Sequence, residues 1–303
     1  MNLYKKLISD DKYITLETTP PKLPTFNGVL EKIEKTKAYK YVDGFSTTDS
    51  PLSKMKYNSI IAAFKLQQKF NLPAIATMSM RDRNKIALQG DLLGANDLDV
   101  VNILALTGDP AKMSDQPNTK AVLEGNSTLL LQMIRNFNNG IDYSGREFKI
   151  APKPINAFAV SNSYAKNFSS IEKKIYTKVK NCASGIITQP VYDIDIVKKL
   201  LDIKRSVRRE FDDERNKFQI VLGFFPITNL KTAQFLSAHV PGIYVPDSWI
   251  EALIKAHNIS DKEEYKVGLE LSKNLFNELL KIHPKIHIMT ANKFEIVKEL
   301  FNI

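Results

Sequence analysis

The sequence predicts an α/β fold, a single-domain TIM (β/α)8 barrel over residues 1–303. Three observations carry the prediction. Eight short β-rich runs each end in polar residues, and helical stretches lie between them, the signature of parallel βαβ units. No G-x-G-x-x-G follows any run, as the rival doubly wound sheet would favour. No long linker, low-complexity segment or solenoid-length repeat divides the chain.

The first run, Tyr13-Ile14-Thr15-Leu16, leads into Glu17-Thr18-Thr19-Pro20-Pro21. The second, Tyr41 to Phe45, ends in Ser46-Thr47-Thr48-Asp49, and the third, Ala74 to Met78, in Ser79-Met80-Arg81-Asp82. The fourth, Val100 to Leu106, ends in Thr107-Gly108-Asp109-Pro110, and the fifth, Ile155 to Val160, in Ser161-Asn162-Ser163. The sixth, Gly185 to Ile187, ends in Thr188-Gln189-Pro190, and the seventh, Phe218 to Gly223, in Phe224-Phe225-Pro226. The eighth, Lys285 to Met289, ends in Thr290-Ala291-Asn292. Helical periodicity marks 58–70, 129–137, 171–180, 194–209, 230–238 and 263–280 between them.

Barrel enzymes place their chemistry at the C-terminal ends of the strands. Glu17, Thr48, Asp109 and Gln189 are the most chemically useful residues at those ends. Glu17 ends an apolar strand and precedes two prolines that fix the backbone. A carboxyl there, partly removed from water, would stay protonated near neutrality and suit a general acid. Asp109 follows Thr107-Gly108, where glycine admits a ligand close to the backbone. The same residues also suit ordinary turns. Asp109 fits an Asx-type bond, and Asp49 or Ser50 before Pro51, like Asn229, fits a helix cap.

Composition narrows the class. Apolar residues make up 43% and charged residues 25%, which suits a large core and excludes a disordered or collagen-like chain. No apolar run approaches the ~18–20 residues that cross a bilayer. The start, Met1-Asn2-Leu3-Tyr4-Lys5-Lys6, has no signal-peptide pattern. The lone Cys182 excludes a disulfide framework and points to the reducing cytoplasm. We expect it to be buried as a small hydrophobe. Pro284 separates His283 from His287 and there is no H-E-x-x-H, so no metal site is expected. There is no phosphate-loop motif and no G-x-S-x-G.

The charge is +10, from 43 cations and 33 acids. Only 8 of the cations are Arg, and half of those share a segment with Glu210, Asp212, Asp213 and Glu214. That pattern marks a solvated helix face and argues against nucleic acid as partner. An acidic protein partner is the better match for the charge.

At Leu16-Glu17-Thr18-Thr19-Pro20-Pro21-Lys22, Thr48-Asp49-Ser50-Pro51 and Arg81 to Ala95 the chain resembles the methylenetetrahydrofolate reductase family. Asn102 to Pro110 and Ile187 to Asp193 extend the likeness, which spans about residues 12–300. It is closest to the reductase module that some bacterial proteins fuse to a homocysteine S-methyltransferase. With no methyltransferase segment present, a stand-alone reductase is expected.

The resemblance implies a cytoplasmic FAD-binding barrel that reduces 5,10-methylenetetrahydrofolate to 5-methyltetrahydrofolate and feeds methionine synthesis. It implies Glu17 as the acid that opens the folate ring and Asp109 beside flavin and pterin. Gln189 and Lys293 would contact folate. Thr48, Thr77, Thr107, Gly108, Ser161 and Lys178 would line the flavin, with Lys178 near its phosphates. Thr77 and Lys293 stand where many relatives carry histidine and arginine. Leu236 stands where NADH-using members carry a phenylalanine. The resemblance therefore implies NAD(P)H or an acidic carrier such as ferredoxin or flavodoxin as electron donor, with a partner subunit or a homo-oligomer as the expected assembly.

Overall fold

A computed structural model describes residues 3–301. Met1 and Asn2 of the amino-terminal segment, with Asn302 and Ile303, lie outside the described residues. The strands are β1 (Tyr13–Thr18), β2 (Gly44–Thr47), β3 (Ala74–Ser79), β4 (Asn102–Leu106), β5 (Asn156–Ser161), β6 (Ala183–Pro190), β7 (Gln219–Phe224) and β8 (Lys285–Ile288). They pair in parallel in chain order and close into a barrel through β8 and β1.

The helices are α1 (Leu3–Ile8), α2 (Asn27–Thr36), α3 (Ser59–Phe70), α4 (Lys85–Asp97), α5 (Ser127–Asn138) and α6 (Ser169–Lys180). They continue as α7 (Ile194–Arg209), α8 (Leu230–His239), α9 (Asp247–His257), α10 (Asp261–Ile282) and α11 (Glu295–Phe301). All eight predicted runs become strands. The second begins later than expected because Ala38–Tyr41 winds into a 3-10 turn. Sequence periodicity misses α4, whose Gly90 and Gly94 dilute the helical signal. Asn58, Asn84 and Asn229 cap α3, α4 and α8 by accepting the amides of Ile61, Ala87 and Thr232. Asp49 and Ser50 cap no α-helix: Asp49 instead accepts the Ser79 amide at 2.9 Å, and Ser50 precedes a 3-10 turn with no side-chain bond to it.

Strand alternation sorts the side chains into two layers. Tyr13, Ile75, Leu104, Phe158, Ile187 and Val221 fill the barrel interior together with Leu3 and Leu7 of α1. Their neighbours Ile14, Ala76, Ile103, Ala157, Ala159, Ile186 and Ile220 belong to the larger core that the helices cover. The short α1 thus stoppers the N-terminal end of the barrel. The buried Lys285 pins it there, donating to Ser9 O at 2.6 Å and to Lys6 O at 3.2 Å. Among the described residues, no helix is long and apolar enough to cross a membrane.

Candidate active site

Two steps along each strand from the interior core lie the residues of a polar cavity. Glu17 and Thr15 share the inward face of Tyr13; Thr77 shares that of Ile75, and Gln189 that of Ile187. His287 shares the face of Lys285. The cavity is about 370 Å³ and opens at the C-terminal strand ends. Of the ten residues expected from the sequence, eight line it: Glu17, Thr48, Thr77, Thr107, Gly108, Asp109, Lys178 and Gln189.

Ser161 does not line it. Alternation turns Val160 inward, so Ser161 faces outward with Ala157 and Ala159, its hydroxyl donating to Asn162 O at 3.1 Å. Lys293 lies exposed on the turn after β8, outside the cavity wall. Leu236 is buried in the core, while Phe235 beside it is 53% exposed. Leu236 does not line the cavity.

At the floor of the cavity sits His287, which the sequence reading weighed only as a metal ligand. Its ring is buried, with Nδ1 2.7 Å from Thr15 Oγ1 and Nε2 3.4 Å from Ser46 Oγ. Nε2 also lies 3.8 Å from Glu17 Oε2, and the Glu17 side chain keeps 25% of its surface exposed. The carboxyl thus lies beside the ring and stays partly exposed.

The rim is built by turns that hold one another. Gly108 adopts φ +95°, and a Cβ there would lie 2.7 Å from Arg81 Cβ, so this position requires glycine. The turn after it carries Asp109, whose Oδ2 accepts the Leu52 amide at 2.6 Å. Ser53 Oγ donates to Asp109 O at 3.1 Å and to Pro110 O at 2.9 Å. Ser50, Leu52 and Ser53 all hold positive φ, an uncommon cluster for non-glycine residues. The buried Arg81 steadies that turn by donating to Ser50 O at 3.2 Å. Arg83 bridges Asp49 at 2.6 Å and Asp91 at 2.8 Å. The Arg-Asp-Arg-Asn block therefore buttresses the rim and caps α4. Near Gln189 the β6–β7 register shifts between Ile187 and Pro190. Gly223 accommodates the shift, because a Cβ there would meet Thr188 O at 2.2 Å.

Lys178 crosses from α6 and donates to Val160 O. Burial, aided by the charge of Lys174, pushes its pKa down to about 8. Beyond it a shallower groove of about 460 Å³ shares Thr107, Ser127 and Lys178 with the cavity. That groove adds Lys173, Lys174 and the start of α5 at Asn126 to Thr128. Lysines and a helix N-terminus together attract an anion. Thr48 Oγ1 is buried without a hydrogen-bond partner.

Other chemistry-bearing groups lie elsewhere. A larger hollow of about 640 Å³ follows the outer face of α10 among mixed lysines and glutamates. His257, Asp261 and Glu264 offer ligand atoms within 4.8 Å of one another at the α9–α10 junction. Glu264 is already occupied there, accepting the Leu230 amide at 2.6 Å. Cys182 is largely buried as expected; its Sγ contacts Leu131 O at 3.1 Å and burial pushes the thiol up to about 12.

A closed parallel barrel with a carboxyl, an amide, hydroxyls and a cation around one strand-end cavity has the organisation of a barrel enzyme. Residues 3–302 match the description "Methylenetetrahydrofolate reductase", and the chain belongs to that family. Among solved structures, it is similar to a Clostridium thermocellum protein that binds two copies of 5-methyl-5,6,7,8-tetrahydrofolic acid. The TM-score is 0.62 at 15% identity, covering 98% of this chain and 97% of that one. It is also similar to the long-chain alkane monooxygenase LadA, with TM-score 0.52 at 9% identity, covering 96% and 90%. At such identities the likeness is one of fold.

Proposed function

We propose that this protein is an FAD-dependent reductase of 5,10-methylenetetrahydrofolate, forming 5-methyltetrahydrofolate. The observation that carries the reading is the convergence of Glu17, Asp109 and Gln189 on the cavity that also exposes Thr48, Thr77 and Lys178.

The residues present fit the flavin. The unpartnered Thr48 hydroxyl supplies a buried polar contact. Gly108, with no room for a Cβ, leaves bare backbone at the wall. The lysine groove beyond Lys178 suits a diphosphate. Thr48, Thr77, Thr107, Gly108 and Lys178 would hold FAD. When bound, FAD supplies a hydride for the methylene carbon of the folate.

The chain's own residues do the rest. Gln189 offers an amide that can donate and accept along the edge of a pterin. Asp109 offers its carboxylate beside the same wall. Glu17, partly exposed at the cavity wall, delivers a proton to the folate nitrogen whose release opens the ring. A positioned acid of this kind contributes roughly 10²–10⁴ in rate. The apolar strand walls of Leu104, Leu106, Val160 and Ile187 limit water around the reacting atoms.

The net charge of +10 favours an acidic protein as electron donor. Anaerobic stopped-flow on the FAD-loaded protein separates the steps. Flavin bleaching by a reduced acidic carrier, NADH or NADPH identifies the donor, and its return on adding methylene-folate tests the reaction. A colourless protein that takes up no FAD would refute the reading and favour a non-catalytic barrel.

A further inference from the structure

We propose that the strand-end rim formed by the turns after β2 and β4 is the docking surface for a small acidic one-electron carrier protein. Exposed apolar side chains seat the carrier, and lysines without carboxylate partners select it. The inference rests on the redox role proposed for the cavity beneath.

The two turns line the cavity with Thr48, Pro51, Thr107 and Asp109 and present other side chains to solvent. Leu52, Met55, Met113, Val122 and Leu123 are all exposed there. The turns are tied to one another. Ser53 Oγ donates to Asp109 O and Pro110 O, and the Val122 amide donates to Arg81 O at 2.7 Å. The Lys22–Asp115 ion pair brings in the turn after β1. Leu52 keeps φ +56°, a conformation unfavourable to L side chains, and its apolar side chain gains no burial in return. A held turn that displays leucine and methionine to water is a surface shaped for a partner.

The charge of this rim is one-sided. Lys54, Lys56, Lys112 and Lys120 stand among the apolar residues, and among the described residues none of them has a carboxylate within 4 Å. The acids of the same turns are engaged: Asp49 by Arg83, Asp115 by Lys22, Glu124 by Lys85, and Asp109 by the Leu52 amide. The two ends of the barrel differ in sign. Loops running from a strand to the next helix carry nine Lys and Arg against six Asp and Glu. Loops running from a helix to the next strand carry eight against ten. An acidic partner is therefore drawn to the mouth and not to the plugged end. Apolar contacts interspersed with mobile lysines make a small interface that forms and parts quickly, as electron transfer between proteins requires. Each docking passes one electron. Two carriers oxidised and two protons taken from solvent balance the two electrons and two protons that one methylene-folate gains.

The test reads binding as well as turnover. The FAD-loaded protein is titrated by calorimetry with an oxidised [2Fe–2S] ferredoxin and, separately, with a flavodoxin. At least one should bind, with a Kd that weakens tenfold or more between about 0.01 and about 0.15 M salt. The triple variant Lys54→Glu, Lys112→Glu, Lys120→Glu should weaken that Kd at least about tenfold and slow flavin reduction by the reduced carrier to match. Folate reduction driven by dithionite should stay unchanged in it. The control triple Lys37→Glu, Lys40→Glu, Lys149→Glu, at the plugged end, should shift the Kd by less than about twofold. Equal losses from both triples, binding indifferent to salt, or binding of neither carrier overturns the docking surface. So does another occupant of the rim: a dimer in sedimentation that Met55→Ser dissolves, or uptake by phosphatidylserine vesicles that the rim triple abolishes. A protein that binds the carrier at the rim yet, reduced with dithionite, leaves methylene-folate untouched sinks the reductase reading and not the docking.

Discussion

Asp109 Oδ2 accepts the Leu52 amide at 2.6 Å, tying the turn after β4 to the turn after β2. The carboxylate therefore holds a rim segment in which Ser50, Leu52 and Ser53 keep positive φ. Removing it frees that segment to relax. We expect Asp109→Ala to keep the barrel, to mobilise residues 50–53 in hydrogen exchange, and to weaken folate use at least tenfold. Unchanged exchange at Leu52 would show that the bond is not what holds the turn.

Glu17→Gln should retain bound flavin and its reduction while slowing oxidation by methylene-folate about 10²–10⁴-fold. The amide keeps the shape of the carboxyl and removes its transferable proton. Single-turnover stopped-flow measures this step alone. An undiminished rate would refute the acid.

Gly108→Ala forces a Cβ to within 2.7 Å of Arg81 Cβ at a φ that L-residues avoid. Strain of this kind costs about 1–3 kcal/mol. The variant should lose that much in urea denaturation and should also bind FAD more weakly, because the displaced Arg81 steadies the rim. Wild-type stability would mean that the turn yields freely.

Lys178 has its pKa depressed to about 8 by burial. Its charge is present below that pH and lost above it. An anionic ligand should therefore bind more tightly at pH 7 than at pH 9, and Lys178→Met should flatten the dependence. FAD titration by fluorescence checks both. A pH-independent Kd in the wild type would remove Lys178 from the anion groove.

His283 donates from Nε2 to Ile220 O at 2.7 Å. Burial, with Lys204 nearby, pushes its pKa down to about 4. The unfolded chain takes up this proton first as pH falls through the ordinary histidine range near ~6.5. Stability from the neutral ring is thus present above that range and is lost progressively towards pH 4, by up to about 3 kcal/mol. His283→Gln should be less acid-sensitive than wild type in denaturation between pH 7 and 4.5. Parallel curves would show that His283 does not contribute to acid lability.

The barrel was legible because each strand–helix unit carries its own local signals. Glu17 and Gln189 were legible because strand ends are where barrels put chemistry. His287 was not, since its partners Thr15 and Ser46 lie 272 and 241 residues away in sequence. Ser161 misled because a strand end alone does not say which face a residue takes. The alternation of Phe158 and Val160 against Ala157 and Ala159 decides it, once the inner face is known. Asp49 read as a cap for want of any sequence sign that Arg83 and the Ser79 amide would claim it.

The plug that Leu3 and Leu7 form beneath the strands closes that end of the barrel, and the cavity opens on the other. Small molecules that use the chamber therefore come and go on the strand-end side, never along the barrel axis from below.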